Sequence, residues 1–218
     1  MPLTVVANHV VGNKRAIVRL QKGYYNVEEA QALFTELADY NTRGVIDGGL
    51  FRGKQWESER VTIQVADLGV PLYKYSGSRA TKTEPFDDYP GIQRIRQDIR
   101  TRTGYDYNFT LYNSYTKNTV LGWHSDKENN MVACSPIISL SFGFPRRFRV
   151  RAKDSHDILL DIWLEAGDLL IMEEDCQELT EHCVWNLTKK EVEHFMGIPD
   201  EQMFRINLTG RTMVVNKY

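Results

Sequence analysis

The sequence lacks the long apolar segments that cross a bilayer. Hydrophobic residues make up 42% of the 218 residues, but no run approaches the roughly 18 consecutive apolar residues of a transmembrane helix. The N-terminus, MPLTVVANHVVGNKR, also lacks the charged segment and sustained apolar core of a secretory signal. We therefore expect a protein of the cytoplasm or nucleus that has no membrane partner.

Cysteine is also scarce, and the sequence has no excess of basic over acidic residues. Cys134, Cys176 and Cys183 are an odd number without C-x-x-C spacing, which argues against a disulfide framework and favours a reducing compartment. The formal net charge is −2 and the pI is about 6.2, so a site for a polyanion has to be local. Arginines concentrate at 94–102 and 146–151. Such clusters usually lie on a solvent-exposed face of the protein.

Repeats and long Pro/Gly linkers are absent, which indicates one domain over residues 1–218. A first helix is predicted at 26–40, because Asn26 can cap it and Glu29 completes a capping box. Its apolar stripe consists of Ala30, Leu33, Phe34 and Leu37. A second helix is predicted from Pro90 to Thr103, since proline suits the first turn and Gly104 follows the last.

From about residue 105 onward, short β-branched and aromatic segments alternate with turn signals. The segments are YNFTLYNSY, SPIISLSFG, RFRVRA, HDILLDIWL, GDLLIM, EHCVWN and FRINLTGRTMVV. About seven or eight strands at this spacing are typical of a sandwich or jelly roll. The predicted fold class is α+β, with N-terminal helices at about 1–104 and a double-sheet core at about 105–216.

Three segments of the second half direct polar side chains to one face. Alternate residues of a strand share a face, and in FRINLTGR the shared set is Arg205, Asn207, Thr209 and Arg211. Asn113 and Tyr115 share a face in LYNSY, as His124 and Asp126 do in GWHSD if the chain is extended there. On an exposed edge the arginines would face water, whereas on an interior strand they need an anion. The convergence of three segments favours a lined cavity.

The pair His124-x-Asp126 predicts a metal site when a distal histidine joins it. Two imidazoles and one carboxylate form the facial triad that non-haem Fe(II) uses when oxygen and a co-substrate must also bind. His182 follows the strand GDLLIM closely, whereas His194 lies in a charged stretch typical of a surface insertion, so His182 is favoured. Arg211 and Arg205 would then suit the two ends of a small dicarboxylate.

Together these motifs resemble the AlkB family of 2-oxoglutarate- and Fe(II)-dependent dioxygenases over about residues 50–215. The family pattern appears as N-x-Y at 113–115, H-x-D-x-E at 124–128, a distal His182 and R-x-N-x-T-x-R at 205–211. LYKYSG, SPIISLSFG and FRVRAKDS resemble the branch that repairs alkylated bases in duplex DNA. The resemblance implies a double-stranded β-helix, or jelly roll, with an N-terminal nucleotide-recognition lid.

The resemblance also implies a ligand set. Fe(II) would be held by His124, Asp126 and His182. The co-substrate 2-oxoglutarate would be held by Asn113, Tyr115, Arg205, Asn207, Thr209 and Arg211. The family consumes O2 and demethylates bases such as 1-methyladenine and 3-methylcytosine, releasing formaldehyde, succinate and carbon dioxide. Alkylated DNA is the expected partner, and RNA remains open as a second one.

A substrate base that reaches the iron has to leave its stack and be held on both faces. The implied sandwich uses Tyr75 and the ring of His124, and Glu128 would accept a hydrogen bond from an exocyclic amino group. Tyr73 belongs to the same implied substrate set. Arg60 and Arg151 are expected to contact phosphates.

The sequence departs from the family in three places. The interval between His182 and Arg205 contains an insertion at 186–203, and Gly210 stands where the family often has an aromatic residue. FRGKQWES only loosely matches the wedge that enters duplex DNA, so single-stranded substrates are expected to be preferred. An oxygenase that acts on a protein side chain, lipid or tRNA base remains an alternative, and a metal-free binding module is a third. We expect a monomer.

Overall fold

A computed structural model of the chain describes residues 2–51, 54–75, 77–116, 119–185, 188, 191 and 203–215. Two β-sheets face each other, and helices cover the outer side of the larger sheet. None of the helices in these ranges is long and apolar enough to cross a bilayer. Most of the predicted insertion at 186–203, including His194, lies outside the described residues.

Both predicted helices are confirmed. The helices are α1 (Val27–Ala38), α2 (Pro90–Thr103) and the short α3 (Cys176–Leu179). Asn26 caps α1: the Glu29 backbone N–H donates to Asn26 Oδ1 at 2.9 Å, and the Asn26 N–H donates to Glu29 Oε2 at 2.8 Å. Gly104 ends α2 with φ 80°, a left-handed conformation that glycine adopts without strain.

Within the described residues, thirteen strands build the two sheets. They are β1 (Thr4–Val11), β2 (Lys14–Gln21), β3 (Val45–Phe51), β4 (Lys54–Ala66), β5 (Glu84–Pro85), β6 (Phe109–Tyr115), β7 (Leu121–His124), β8 (Ile137–Gly143), β9 (Arg146–Ala152), β10 (Ile158–Leu164), β11 (Leu169–Glu174), β12 (Thr180–Val184) and β13 (Arg205–Arg211). The larger sheet has the order β1-β2-β11-β8-β13-β6-β4-β3, with β5 beside β4, and the smaller has the order β10-β9-β12-β7. Strands β6 to β13 thus divide equally between facing sheets, which confirms the double-stranded β-helix.

The first half of the chain is not only helical, as the sequence predicted, but also supplies β1 to β5. β2 pairs with β11, and β4 pairs with β6, so these strands extend the larger sheet on both sides. β2 buries Ala16, Ile17 and Val18 in succession, because both of its faces are covered. It therefore shows no alternation of apolar and polar residues, and that is the pattern on which strand prediction depends.

The two faces of the larger sheet differ in chemistry. Its outer face packs against α1 and α2 in one apolar cluster, which includes Leu37, Ile95, Ile206 and Leu208. Its inner face carries Arg205 and Asn207 toward the smaller sheet. The predicted parity of β13 is therefore confirmed, and the polar residues lie inside the jelly roll rather than on an exposed edge.

Candidate active site

Strand register aligns the polar side chains in rows across the larger sheet. Asn113 on β6 lies opposite Asn207 on β13, and Asn207 lies opposite Ser141 on β8. In the next row, Tyr115 lies between Arg60 on β4 and Arg205 on β13. Because opposed residues of neighbouring strands point to the same side, both rows face the space between the sheets.

That space is a cavity of about 280 Å³. Its lining includes every side chain of the predicted site except Arg151. Leu121, Phe148 and Val184 of the smaller sheet form an apolar wall opposite the polar rows. The cavity thus combines a few convergent polar groups with apolar walls, as small-molecule sites usually do.

Three possible metal ligands meet in this cavity. His124 at the end of β7 is paired directly with His182 on β12, and Asp126 follows β7 by two residues. One ligand atom of each lies within 4.8 Å of the others. His124 Nδ1 is 2.8 Å from the Gly122 carbonyl oxygen, so when it donates there, Nε2 keeps its lone pair for a metal.

Electrostatics holds Asp126 and His182 in the protonation states that a metal requires. Burial alone would raise the pKa of Asp126, but the charge of Arg211 and the neighbouring imidazoles hold that pKa below its usual range. Burial, reinforced by His124, lowers the pKa of His182 to about 3. Near neutral pH the site therefore offers a carboxylate and a neutral imidazole, which are the ligand forms. His182 Nδ1 is buried without a hydrogen-bond partner among the described atoms, and the donor set fits Fe(II).

The two buried arginines of β13 differ in their partners. Arg211 donates from a terminal nitrogen to Asp126 Oδ2 at 2.7 Å. Arg205 is 2% exposed and donates to Ser141 Oγ at 2.9 Å, but it forms no ion pair with a residue in the described ranges. Burial lowers the pKa of Arg205 to about 10. A buried cation without a counterion costs several kcal/mol by order of magnitude, so this end of the cavity suits a carboxylate.

Comparisons with known proteins agree with this chemistry. The family model for the 2OG-Fe(II) oxygenase superfamily matches residues 18–211. The chain belongs to the 2OG-Fe(II) oxygenase superfamily. Fe(II) is accordingly its metal, with 2-oxoglutarate and O2 as co-substrates.

Individual relatives of this oxygenase carry AlkB names, which confirms the resemblance to that family. Alpha-ketoglutarate-dependent dioxygenase alkB homolog 3 of Bos taurus is 30% identical over 90% of the chain, and the chain covers 66% of that protein. DNA oxidative demethylase ALKBH2 of Mus musculus is 34% identical over 58% of the chain, which covers 53% of it. The chain thus spans less than two thirds of the length of these relatives.

A solved structure gives independent support for the fold of the oxygenase. "The structure of OsALKBH1" superposes with a TM-score of 0.58, covering 97% of this chain and 100% of that one. Its sequence is 16% identical, so the likeness concerns the fold alone.

The side of the cavity assigned to the substrate carries two tyrosines and an acid. Tyr73 and Tyr75 lie with their ring centroids 5.4 Å apart, and the Gln64 side chain fixes the Tyr73 backbone with hydrogen bonds of 2.7 and 2.9 Å. Burial, followed by the charge of Asp126, raises the pKa of Glu128 against the opposing effect of Tyr73. Glu128 Oε2 is buried and lacks a partner among the described atoms.

The arginines expected to contact phosphates are both ion-paired. Arg60 Nε lies 2.8 Å from Asp47 Oδ2, and the guanidinium lies 5.1 Å from the Tyr75 ring centroid inside the cavity. Arg151 Nε lies 2.9 Å from Glu181 Oε2, and its guanidinium stacks over Trp123, outside the cavity. Their contacts with phosphate stay predictions.

Sequence reasoning missed several residues that support the site. Ser139 and Ser141 alternate within an apolar strand, and that parity could have placed them beside Asn207 and Arg205. Asp47 and Gln177 gave no such signal, because neither belongs to an alternating pattern of polar residues in the sequence. Their contacts arise only from the fold.

Gln177 of α3 contacts the loop that carries Asp126, one of the three candidate metal ligands. The Asp126 backbone N–H donates to Gln177 Oε1 at 2.9 Å. Supporting contacts of this kind typically contribute a factor of about 10 to 100 to metal affinity. We expect Gln177→Ala to weaken Mn(II) binding about tenfold, measured by isothermal titration calorimetry.

A matched control is Gln93→Ala, because Gln93 on α2 bonds Asp87 far along the chain from the metal ligands. This variant should bind Mn(II) as tightly as the unaltered protein. Equal Mn(II) affinity in both variants would contradict a role for Gln177.

Proposed function

We propose that this oxygenase removes N-alkyl groups from bases in alkylated DNA, and in RNA where the base is accessible. The observation that carries the proposal is the position of Glu128 beside Tyr73 and Asp126, with an unsatisfied buried carboxylate oxygen. An exocyclic amino group of adenine or cytosine is a suitable donor to that oxygen. The AlkB names of the relatives support the same substrate class.

The residues divide the work between co-substrate and base. The remote carboxylate of 2-oxoglutarate would be held by Arg205, Asn113 and Tyr115. The rest of the co-substrate site would consist of Asn207, Thr209 and Arg211. The base would lie between the rings of Tyr75 and His124. Fe(II), when bound with 2-oxoglutarate and O2, supplies the oxidising chemistry that hydroxylates the N-alkyl carbon. The hydroxylated methyl group would then leave the base as formaldehyde. Leu121, Phe148 and Val184 line the cavity as an apolar wall, which would exclude water from the reacting carbon.

The test is turnover of methylated oligonucleotides. Iron-loaded protein would be given 1-methyladenine or 3-methylcytosine in single- and double-stranded DNA and RNA. We expect formaldehyde and succinate in equal amounts, with single strands preferred. Absence of turnover on every oligonucleotide, together with peptide- or lipid-stimulated succinate formation, would instead support the alternative substrate classes.

The proposal includes a single catalytic domain that works as a monomer in the cytoplasm or nucleus. Its lid would lie within the first 104 residues and its jelly-roll core in the remainder. Size-exclusion chromatography with light scattering tests the monomer, and limited proteolysis tests the single domain.

A further inference from the structure

Asp47 on β3 is a buried carboxylate that the proposed chemistry does not use. It is 1% exposed. The Tyr75 hydroxyl donates to its two oxygens at 2.9 and 3.1 Å, Arg60 Nε donates at 2.8 Å, and the Thr62 hydroxyl donates at 3.2 Å. A carboxylate that accepts from several donors at once is a rigid anchor, because moving it would leave each donor unsatisfied.

The anchor lies where two chain segments meet. The Gly48 N–H donates to the Gly77 carbonyl at 2.9 Å, which joins β3 to the segment that carries Tyr75. Trp56 of β4 packs against Gly77, where a Cβ would lie 2.9 Å from the indole. Gly77 also has φ 87°, so glycine is needed there for both reasons. The β3–β4 hairpin therefore holds the Tyr75 segment closely.

Both main partners of Asp47 line the cavity, whereas Asp47 itself does not. The Arg60 guanidinium lies 5.1 Å from the centroid of the Tyr75 ring. Without a carboxylate partner, that cation would be drawn to the ring face by a cation–π interaction. It would then compete with a base for the same stacking surface. Asp47 restrains the guanidinium and the phenol at the same time.

We propose that Asp47 is a positioning residue that fixes Tyr75 and Arg60 and so determines affinity for the flipped base. This inference rests on the proposed function. Asp47 makes no hydrogen bond to His124, Asp126, His182 or Arg205 among the described contacts. The loss of Asp47 should therefore weaken oligonucleotide binding without weakening iron binding.

The experiment compares Asp47→Asn with the unaltered protein. Asparagine keeps the size but loses the charge that restrains Arg60. We expect the KM for a methylated oligonucleotide to rise about 10- to 100-fold, the scale of losing one or two charge-assisted contacts. The kcat and the Mn(II) affinity should stay within about threefold of the unaltered protein, because Asp47 does not contact His124, Asp126 or His182. Tyr75→Phe, which removes only the hydroxyl, should also raise the KM. The KM of the double variant should be close to that of Asp47→Asn alone.

The matched control is Asp168→Asn. Asp168 is also a buried carboxylate, 2% exposed, and it accepts from Lys22 Nζ at 2.7 Å and the Gly23 N–H at 3.0 Å. Its loss should lower the melting temperature without changing the KM. If Asp47→Asn likewise lowers only the melting temperature, its role is structural and the inference is overturned.

A second readout does not depend on turnover. In protein labelled with ¹³C-tyrosine, the ring signal of Tyr75 is identified by its absence in Tyr75→Phe. It should shift in Asp47→Asn and stay unchanged in Asp168→Asn. An unchanged Tyr75 signal in Asp47→Asn overturns the inference, even if no oligonucleotide is demethylated. If the signal shifts but the unaltered protein demethylates no oligonucleotide, the proposed function is rejected and the positioning role of Asp47 is still supported.

Discussion

Arg205→Met should sharply weaken 2-oxoglutarate binding and, at the same time, stabilise the ligand-free protein. The guanidinium is buried against Ser141 and Tyr115 with no ion pair in the described part of the chain. Losing a buried charge contact to the co-substrate should cost about 2 to 5 kcal/mol, so we expect the KM for 2-oxoglutarate to rise roughly 30- to 4,000-fold. Steady-state succinate formation measures this change.

The stability change of Arg205→Met should have the opposite sign. Replacing buried ionic groups with apolar side chains of similar volume is often neutral or stabilising by about 1 to 4 kcal/mol. For a chain of this size each kcal/mol moves the melting temperature by about 2 to 4 °C. Scanning calorimetry on metal-free protein should therefore show a rise, and adding Mn(II) with 2-oxoglutarate should stabilise the variant less than the unaltered protein.

Arg146→Met is the matched control for stability. Arg146 is also buried, but its nitrogens donate to the carbonyls of Thr116, Thr119 and Trp185 at 2.8, 2.6 and 3.0 Å. Methionine would leave these carbonyls without the donor, at about 1 to 3 kcal/mol for each one left unsatisfied. This variant should melt at a lower temperature. A lower melting temperature for Arg205→Met as well would contradict the view that Arg205 awaits an anion.

Asp126→Asn is expected to abolish activity and to destabilise the protein. The change removes the only anionic ligand of the triad. Losing a residue that merely supports a ligand lowers metal affinity by about 10- to 100-fold, so we expect Mn(II) affinity to fall by at least about 100-fold here. It also leaves Arg211 buried without its carboxylate, which typically costs about 3 to 5 kcal/mol. Calorimetric metal titration and urea unfolding measure the two effects.

The double variant Asp126→Asn with Arg211→Met separates these effects. Removing the stranded cation should recover much of the free energy of unfolding, while metal binding stays lost. Normal Mn(II) affinity in Asp126→Asn would show that another group is the anionic ligand.

The sequence was most informative where local chemistry decides the structure. Asn26 with Glu29, and Pro90 with Gly104, marked helix ends because caps depend on neighbouring residues. The parity of β13 brought Arg205 and Arg211 to one face for a similar reason, since alternation is a property of any strand.

The remaining features depend on contacts between residues distant in the sequence. Asp47 is an isolated acid in VIDGGLF, and nothing nearby indicates that Tyr75 and Arg60 will meet it. The buried run in β2 similarly has no strand period, because residues that pack against it, such as Phe148 and Leu160, are distant in the sequence. Such features become visible only when tertiary neighbours are known.

The length of β4 limits how this protein can vary. β4 runs from the hairpin into the larger sheet, where Arg60, Thr62 and Gln64 are registered against Tyr115, Asn113 and Leu111. Inserting one residue within that stretch would exchange its inner and outer faces. Inserting two would keep the faces but displace the hairpin by about 7 Å. Natural variants should therefore tolerate length changes poorly within β4 and accept them more readily outside paired strands.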